Sequence, residues 1–115
     1  MIIKINDTIY PATVKHTHVD HNWDGRESKK ITLEMDSATA AALFVDDAAW
    51  SIVERHTEES LDEVGNIVTR EIVDEYDNSD FCVAGAVTDN RDGTVSVKMG
   101  KPTDGELLAI IMGGN

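Results

Sequence analysis

Hydrophobic and polar residues alternate along most of this chain, and the alternation breaks at turn-forming residues. The clearest stretch is Lys30 to Met35, with Ile31, Leu33 and Met35 on one face and Lys30, Thr32 and Glu34 on the other. Period two means a strand with one side toward a core and the other toward water. Asn22-Trp23-Asp24-Gly25 precedes it, and Gly25 lets the chain reverse because glycine enters the left-handed region without a side-chain clash. After the strand, Asp36 or Ser37 is placed to accept hydrogen bonds from the free amides of a new helix. Ala38 to Val45 then supplies helix formers, with Leu43 and Phe44 as the large apolar groups. This predicts a short helix over about 37–45, ended by Asp46-Asp47. Ala49 to Val53 reads as extended again, with Trp50 and Ile52 on one face, and is expected to pair with the strand before the helix.

Two more hairpins follow from the same reasoning. Ile2 to Ile5, the turn Asn6-Asp7, and Thr8 to Val19 make the first; Pro11 lacks an amide proton, which predicts an edge position near the start of the longer arm. Phe81 to Thr88 and Thr94 to Met99 make the second, joined by Asn90-Arg91-Asp92-Gly93, with Val95, Val97 and Met99 alternating with Thr94, Ser96 and Lys98. Pro102 stops that strand. Thr103-Asp104-Gly105-Glu106 is a capping box opening a second helix, about 103–112, which Gly113-Gly114 ends. Leu107, Leu108, Ile110 and Ile111 make this helix apolar on most of its surface, fit to dock across the sheet or against another copy. Turn, strand, methionine and leucine-bearing helix thus occur twice, at Asn22 to Leu43 and at Asn90 to Leu107, either as a worn duplication or by chance.

Between these lies the most polar part of the chain. His56 to Asn66 has the composition of an exposed, mobile loop between two hairpin arms, and Ile67 to Val73 reads as the second arm, able to extend past the core as a ribbon. Asp74 to Asp80 is strongly acidic, but it has no glycine at the sixth position and no closing glutamate for a calcium loop.

The elements add up to an α+β fold, mainly an antiparallel sheet built of hairpins with two short helices, in a single domain over 1–115. The formal net charge is −12, from 10 Lys and Arg against 22 Asp and Glu. Residues 1–35 and 93–115 are balanced, whereas 36–92 hold 3 basic and 15 acidic groups, so all the excess lies in the middle. No basic footprint for direct nucleic-acid binding is present. The acidic middle is either a solvated face or a surface that meets a basic partner. No apolar run reaches the length of a membrane span or a signal peptide, so the expectation is no membrane partner and synthesis in the cytoplasm. The single cysteine, Cys82, cannot form an internal disulfide and is expected to be buried as a small hydrophobe.

One passage carries candidate chemistry. His16-Thr17-His18-Val19-Asp20-His21 fits H-x-H-x-D-H, which resembles the metal-binding signature of metallo-β-lactamase-like hydrolases. Histidines two apart on a strand share a face and can bind zinc. The chain lacks the rest of such a site: only His56 follows the cluster, and the strand leading into it carries Lys15 and two histidines. Zinc-dependent hydrolysis through His16, His18 and His21 is the remote alternative, and adventitious nickel or zinc binding by His16 and His18 the nearer one.

Three phrases carry a further resemblance: Asp20 to Lys29, Leu43 to Val53 and Arg91 to Pro102. They resemble small uncharacterised proteins encoded among the tail and other late genes of prophages of gut Gram-positive bacteria, over nearly the whole chain. The shared motifs are turns and strands, so the resemblance implies a phage structural or assembly protein without implying catalytic residues or cofactors. The expected function is therefore non-catalytic, through contacts with other phage proteins or with itself as a homo-oligomer, in the bacterial cytoplasm and within the phage particle. Trp23, Trp50, Leu107, Leu108 and Ile111 are the candidate contact residues, with core packing as the other role open to Trp50. A different class of partner, a basic nucleic-acid-binding host protein occupied by an acidic decoy, is the alternative.

Overall fold

In the computed structural model residues 1–111 are described, except for the side chains of Ile110 and Ile111; the expected contact residue Ile111 and the end of the second helix thus lie outside the described side chains. The strands are β1 (Ile2–Ile5), β2 (Thr8–Asp20), β3 (Arg26–Leu33), β4 (Trp50–Leu61), β5 (Ile67–Asp77), β6 (Val83–Asp89) and β7 (Val95–Gly100), and the helices are α1 (Ser37–Leu43) and α2 (Asp104–Ile111). The strands form one antiparallel sheet in the order β5-β4-β1-β2-β3-β7-β6. The mainly antiparallel α+β expectation holds.

β2 ties the sheet together. Ile2 to Ile5 of β1 pair with Pro11 back to Thr8, and the β3 ladder starts one residue later, at Ala12 opposite Leu33. As a whole β2 is therefore an interior strand. Over Thr8 to Pro11 it has a neighbour on one side only, which is where a residue without an amide proton does no damage. The β1–β2 turn uses Asn6 and Asp7 at φ 52 and 61, a left-handed pair that matches the twist of the flanking strands.

Apolar positions of β1, β3 and β7 point to one face. Ile3, Ile5, Ile31, Leu33, Val95, Val97 and Met99 are buried there with Ala40 of α1, Phe44 just past its end, Trp50 and Phe81. α1 covers this face. Its cap is Asp36, whose Oδ1 accepts from the Thr39 amide at 2.6 Å. The helix stops at Leu43, two residues before the expected end, because Phe44 turns out of helical geometry to fill the core.

Two expectations are corrected. β4 does not pair with β3, whose edges are already filled by β2 and β7; the connection through α1 carries the chain past them, and β4 pairs with β1 instead. Residues 56–61 are not loop either. β4 runs on to Leu61, and its register with β5 is unbroken from Ser51 opposite Asp77 to Leu61 opposite Ile67. A ribbon exposed on both faces needs no apolar face, so its composition mimics that of a loop. The connection itself is only Asp62 to Asn66, where Asp62 Oδ1 accepts from the amides of Val64 and Asn66 at 3.0 and 2.8 Å.

Candidate functional site

The histidine motif is split by the fold. His16 and His18 lie on the core-side face of β2, their ring centroids 5.0 Å apart, with His16 edge-on to Phe81 at 6.2 Å. Asp20 lies on that strand too, but it is buried and already engaged. It accepts from Lys98 Nζ at 2.8 Å, Ser28 Oγ at 3.0 Å and the Asn22 amide at 3.0 Å. The Lys98 ammonium foremost, with those two donors, holds its carboxyl below the ordinary range against the opposing cost of burial. An aspartate so occupied is not offered to a metal. His21 lies in the exposed turn that follows, apart from the other two.

The partner the structure gives His16 and His18 is Glu27 of β3. Ligand atoms of the three lie within 4.8 Å of one another, and Glu27 Oε2 is 2.6 Å from His16 Nε2. Glu27 Oε1 also meets Lys101 Nζ at 3.0 Å, and Lys101 reaches Asp80 at 3.4 Å. Lys101 first and His16 second hold the Glu27 carboxyl below its usual range, and Glu27 in turn raises Lys101. Lys29, beside them over the Phe81 ring at 4.5 Å and bonded to Asn78, is pushed down by burial. A divalent ion at this corner would meet two ammonium groups and a carboxylate already neutralised. Its geometry suits an ion-pair network that seals the end of the core. Sequence spacing could not supply Glu27, which joins the histidines only through the β2–β3 register.

The opposite face of the sheet carries a second, small interior. Trp23 packs on Gly85 and Gly100, and the Arg26 guanidinium lies 4.7 Å from its ring centroid. Arg26 is buried and forks onto Glu106 of α2 at 2.8 and 3.3 Å, while Glu106 closes the expected capping box with Thr103. α2 is therefore held to this face, whereas α1 packs on the other; the proposed duplication does not extend to its helices. Trp23 is half-buried here. Trp50, 1% exposed, donates from Nε1 to the Phe81 carbonyl at 3.2 Å and takes the core role, so it offers nothing to a partner. Leu107 and Leu108 remain exposed, at 43% and 56%. Cys82 is half-buried, less enclosed than expected.

The largest group of exposed aliphatic side chains among the described residues lies elsewhere. Beyond Val53 the β4–β5 ribbon leaves β1 behind and continues as a two-stranded arm of eight residue pairs, Glu54 opposite Asp74 through Leu61 opposite Ile67. At roughly 3.3 Å per residue this is an arm of about 25 Å. It accounts for the elongated dimensions, 64 × 38 × 25 Å, and for a radius of gyration of 18.1 Å, where a compact chain of this length has about 13 Å. Leu61, Val64 and Ile67 at its end are 71%, 79% and 69% exposed, Val68 and Val73 along it are exposed too, and so is Tyr76 where β5 enters the body of the sheet. Acidic side chains divide between its two faces, Glu54, Glu58 and Asp74 against Glu59 and Glu71, interleaved with Arg55 and Arg70. A decoy for a basic protein wants its carboxylates on one face. Among the acids of 74–80, Asp77 is spent on Ser79, and Asp74 and Glu75 point to opposite faces of β5, so they do not converge on a cation.

No helix among the described residues is long and apolar enough to cross a membrane. Compared with known proteins, the chain matches no family model, no curated protein and no solved structure.

Proposed function

We propose that this chain is a non-catalytic structural or assembly protein of a phage particle, tail-associated, acting through protein–protein contacts, with the β4–β5 arm as its contact element. The arm is the observation that carries the reading. An isolated two-stranded ribbon is marginal in water, and this one is held by cross-strand ion pairs, Arg55 with Glu71 at 3.9 Å and Glu58 with Arg70 at 3.6 Å. Such surface pairs contribute little. A chain that keeps five large aliphatic groups exposed on such an arm gains most by burying them against a partner. The resemblance of three passages to prophage late-gene products supplies the setting. The acidic middle keeps the arm soluble until it docks.

Mass spectrometry of purified particles from an induced lysate tests this. Presence at a fixed ratio to the major tail protein is the expected result, and a variant with Leu61, Val64 and Ile67 changed to serine should fold yet drop out of particles. Abundance in the lysate with absence from the particles would sink the virion assignment.

A further inference from the structure

The sheet has two outer edges, and the sequence treats them differently. β6 is seven residues long, and its register with β7 shifts between Ala84 and Val87, a bulge that interrupts the ladder. Bulges, prolines and short length are how natural sheets keep an edge from recruiting another chain. β5 has none of these. It is eleven residues long, contains no proline, and is paired on one side only, with β4, in an unbroken register. Charges are its only guard, and they decide which strand it accepts.

Consider β5 beside β5 of a second copy, antiparallel about a two-fold axis normal to the sheet. Facing residues must then share a face, so the axis falls midway between one residue and its own copy, which face each other. An axis at Arg70, Glu71 or Asp74 brings like charges together, and one at Val73 sets Glu71 against Glu75. The axis at Ile72 does neither. There Arg70 faces Asp74 of the second copy, Val68 faces Tyr76, Thr69 faces Glu75, Glu71 faces Val73, Ile67 faces Asp77, and Ile72 faces itself. Ile72 is also the midpoint of Ile67–Asp77, so this register alone pairs all eleven residues. Within its own chain Asp74 stands opposite Glu54 of β4, a like-charge pair with His56 3.9 Å away. An arginine arriving across the edge relieves that repulsion.

We infer that the chain forms a symmetric dimer by pairing β5 with β5 of a second copy, centred on Ile72, which joins two seven-stranded sheets into one continuous sheet. The inference rests on the reading of the chain as an assembly protein and names a second copy as the first partner of its arm. Edge pairing supplies main-chain hydrogen bonds for affinity, and the Arg70–Asp74 and Val68–Tyr76 contacts set the register.

Light scattering on the size-fractionated full chain tests it together with charge reversal. The wild type is expected at the mass of a dimer. Arg70→Asp sets aspartate against Asp74 twice, Asp74→Arg sets arginine against Arg70 twice, and each should halve the mass. The double variant Arg70→Asp/Asp74→Arg should restore the dimer, although it reverses the intrachain contacts of both residues. In a Cys82→Ser background, Ile72→Cys should cross-link to itself under mild oxidation, and Thr69→Cys should not. A monomeric wild type at every concentration, or a dimer indifferent to the charge reversals and without the Ile72→Cys cross-link, overturns the inference. A monomer that is nevertheless incorporated into particles overturns the dimer and leaves the assembly reading standing; a dimer absent from particles does the reverse.

Discussion

The indole of Trp23 rests on the bare Cα of Gly85: a Cβ at that position would stand 2.6 Å from Cη2 of the ring. Such a distance cannot persist, and what must move is a ring held in turn by Arg26 and Gly100. Gly85→Ala should therefore destabilise the fold by about 1–3 kcal/mol through overpacking. Urea unfolding measures this, and shortening the ring with Trp23→Leu in the same chain should return part of the loss.

Asp20 makes the fold sensitive to acid. Its carboxyl titrates below the ordinary range in the folded chain, chiefly because Lys98 bonds it, so it adds stability above the carboxylate range of unfolded chains, about pH 4. That contribution is lost as pH falls through the lower, folded value. Asp20→Asn removes it. The variant should be less stable than the wild type at neutral pH, with the difference narrowing below pH 4, as paired denaturation curves from pH 7 to 2 would record.

Trp50 is buried in the core opposite Ile5, and its Nε1 supplies a partner to the Phe81 carbonyl. Trp50→Phe leaves that acceptor unpaired and a void beside it, an expected loss of about 2 kcal/mol. Thermal unfolding followed by circular dichroism checks the size. The remaining fluorescence then reports Trp23 alone and should be more accessible to a soluble quencher.

The end of the arm should behave oppositely. Replacing Leu61, Val64 or Ile67 singly with serine removes exposed apolar surface and few packing contacts, so stability should stay within about 0.5 kcal/mol of the wild type. Loss of association with intact stability would mark these positions as contact residues; unfolding would show that they support the arm itself.

The periodicity of β3 and β7, the turns at Asn6-Asp7 and Asn90 to Gly93, the Asp36 cap and the Thr103–Glu106 box were all legible, because each rests on residues adjacent in sequence. Which strands become neighbours was not. β1 and β4 are separated by nearly fifty residues, and nothing local in Trp50 to Val53 distinguishes Ile3 from Ile31 as a partner. The arm was half legible: Ile67 to Val73 read as a ribbon, but His56 to Leu61 read as loop, since a strand with water on both faces carries no apolar alternation. Glu27 shows the same limit, being assigned to His16 by register alone.

The joint between arm and body has a mechanical side. β1 is four residues long and has a strand on each side, so the strand pairing that links β4 to the rest of the sheet passes through two ladders of four pairs. The β4–β5 ladder beyond it has eleven. A pull along the arm loads the short ladder in shear while the long one stays intact. Under tension the hairpin should come away whole, tearing at β1 before it unzips, and the core around Trp50 sets the force at which it lets go.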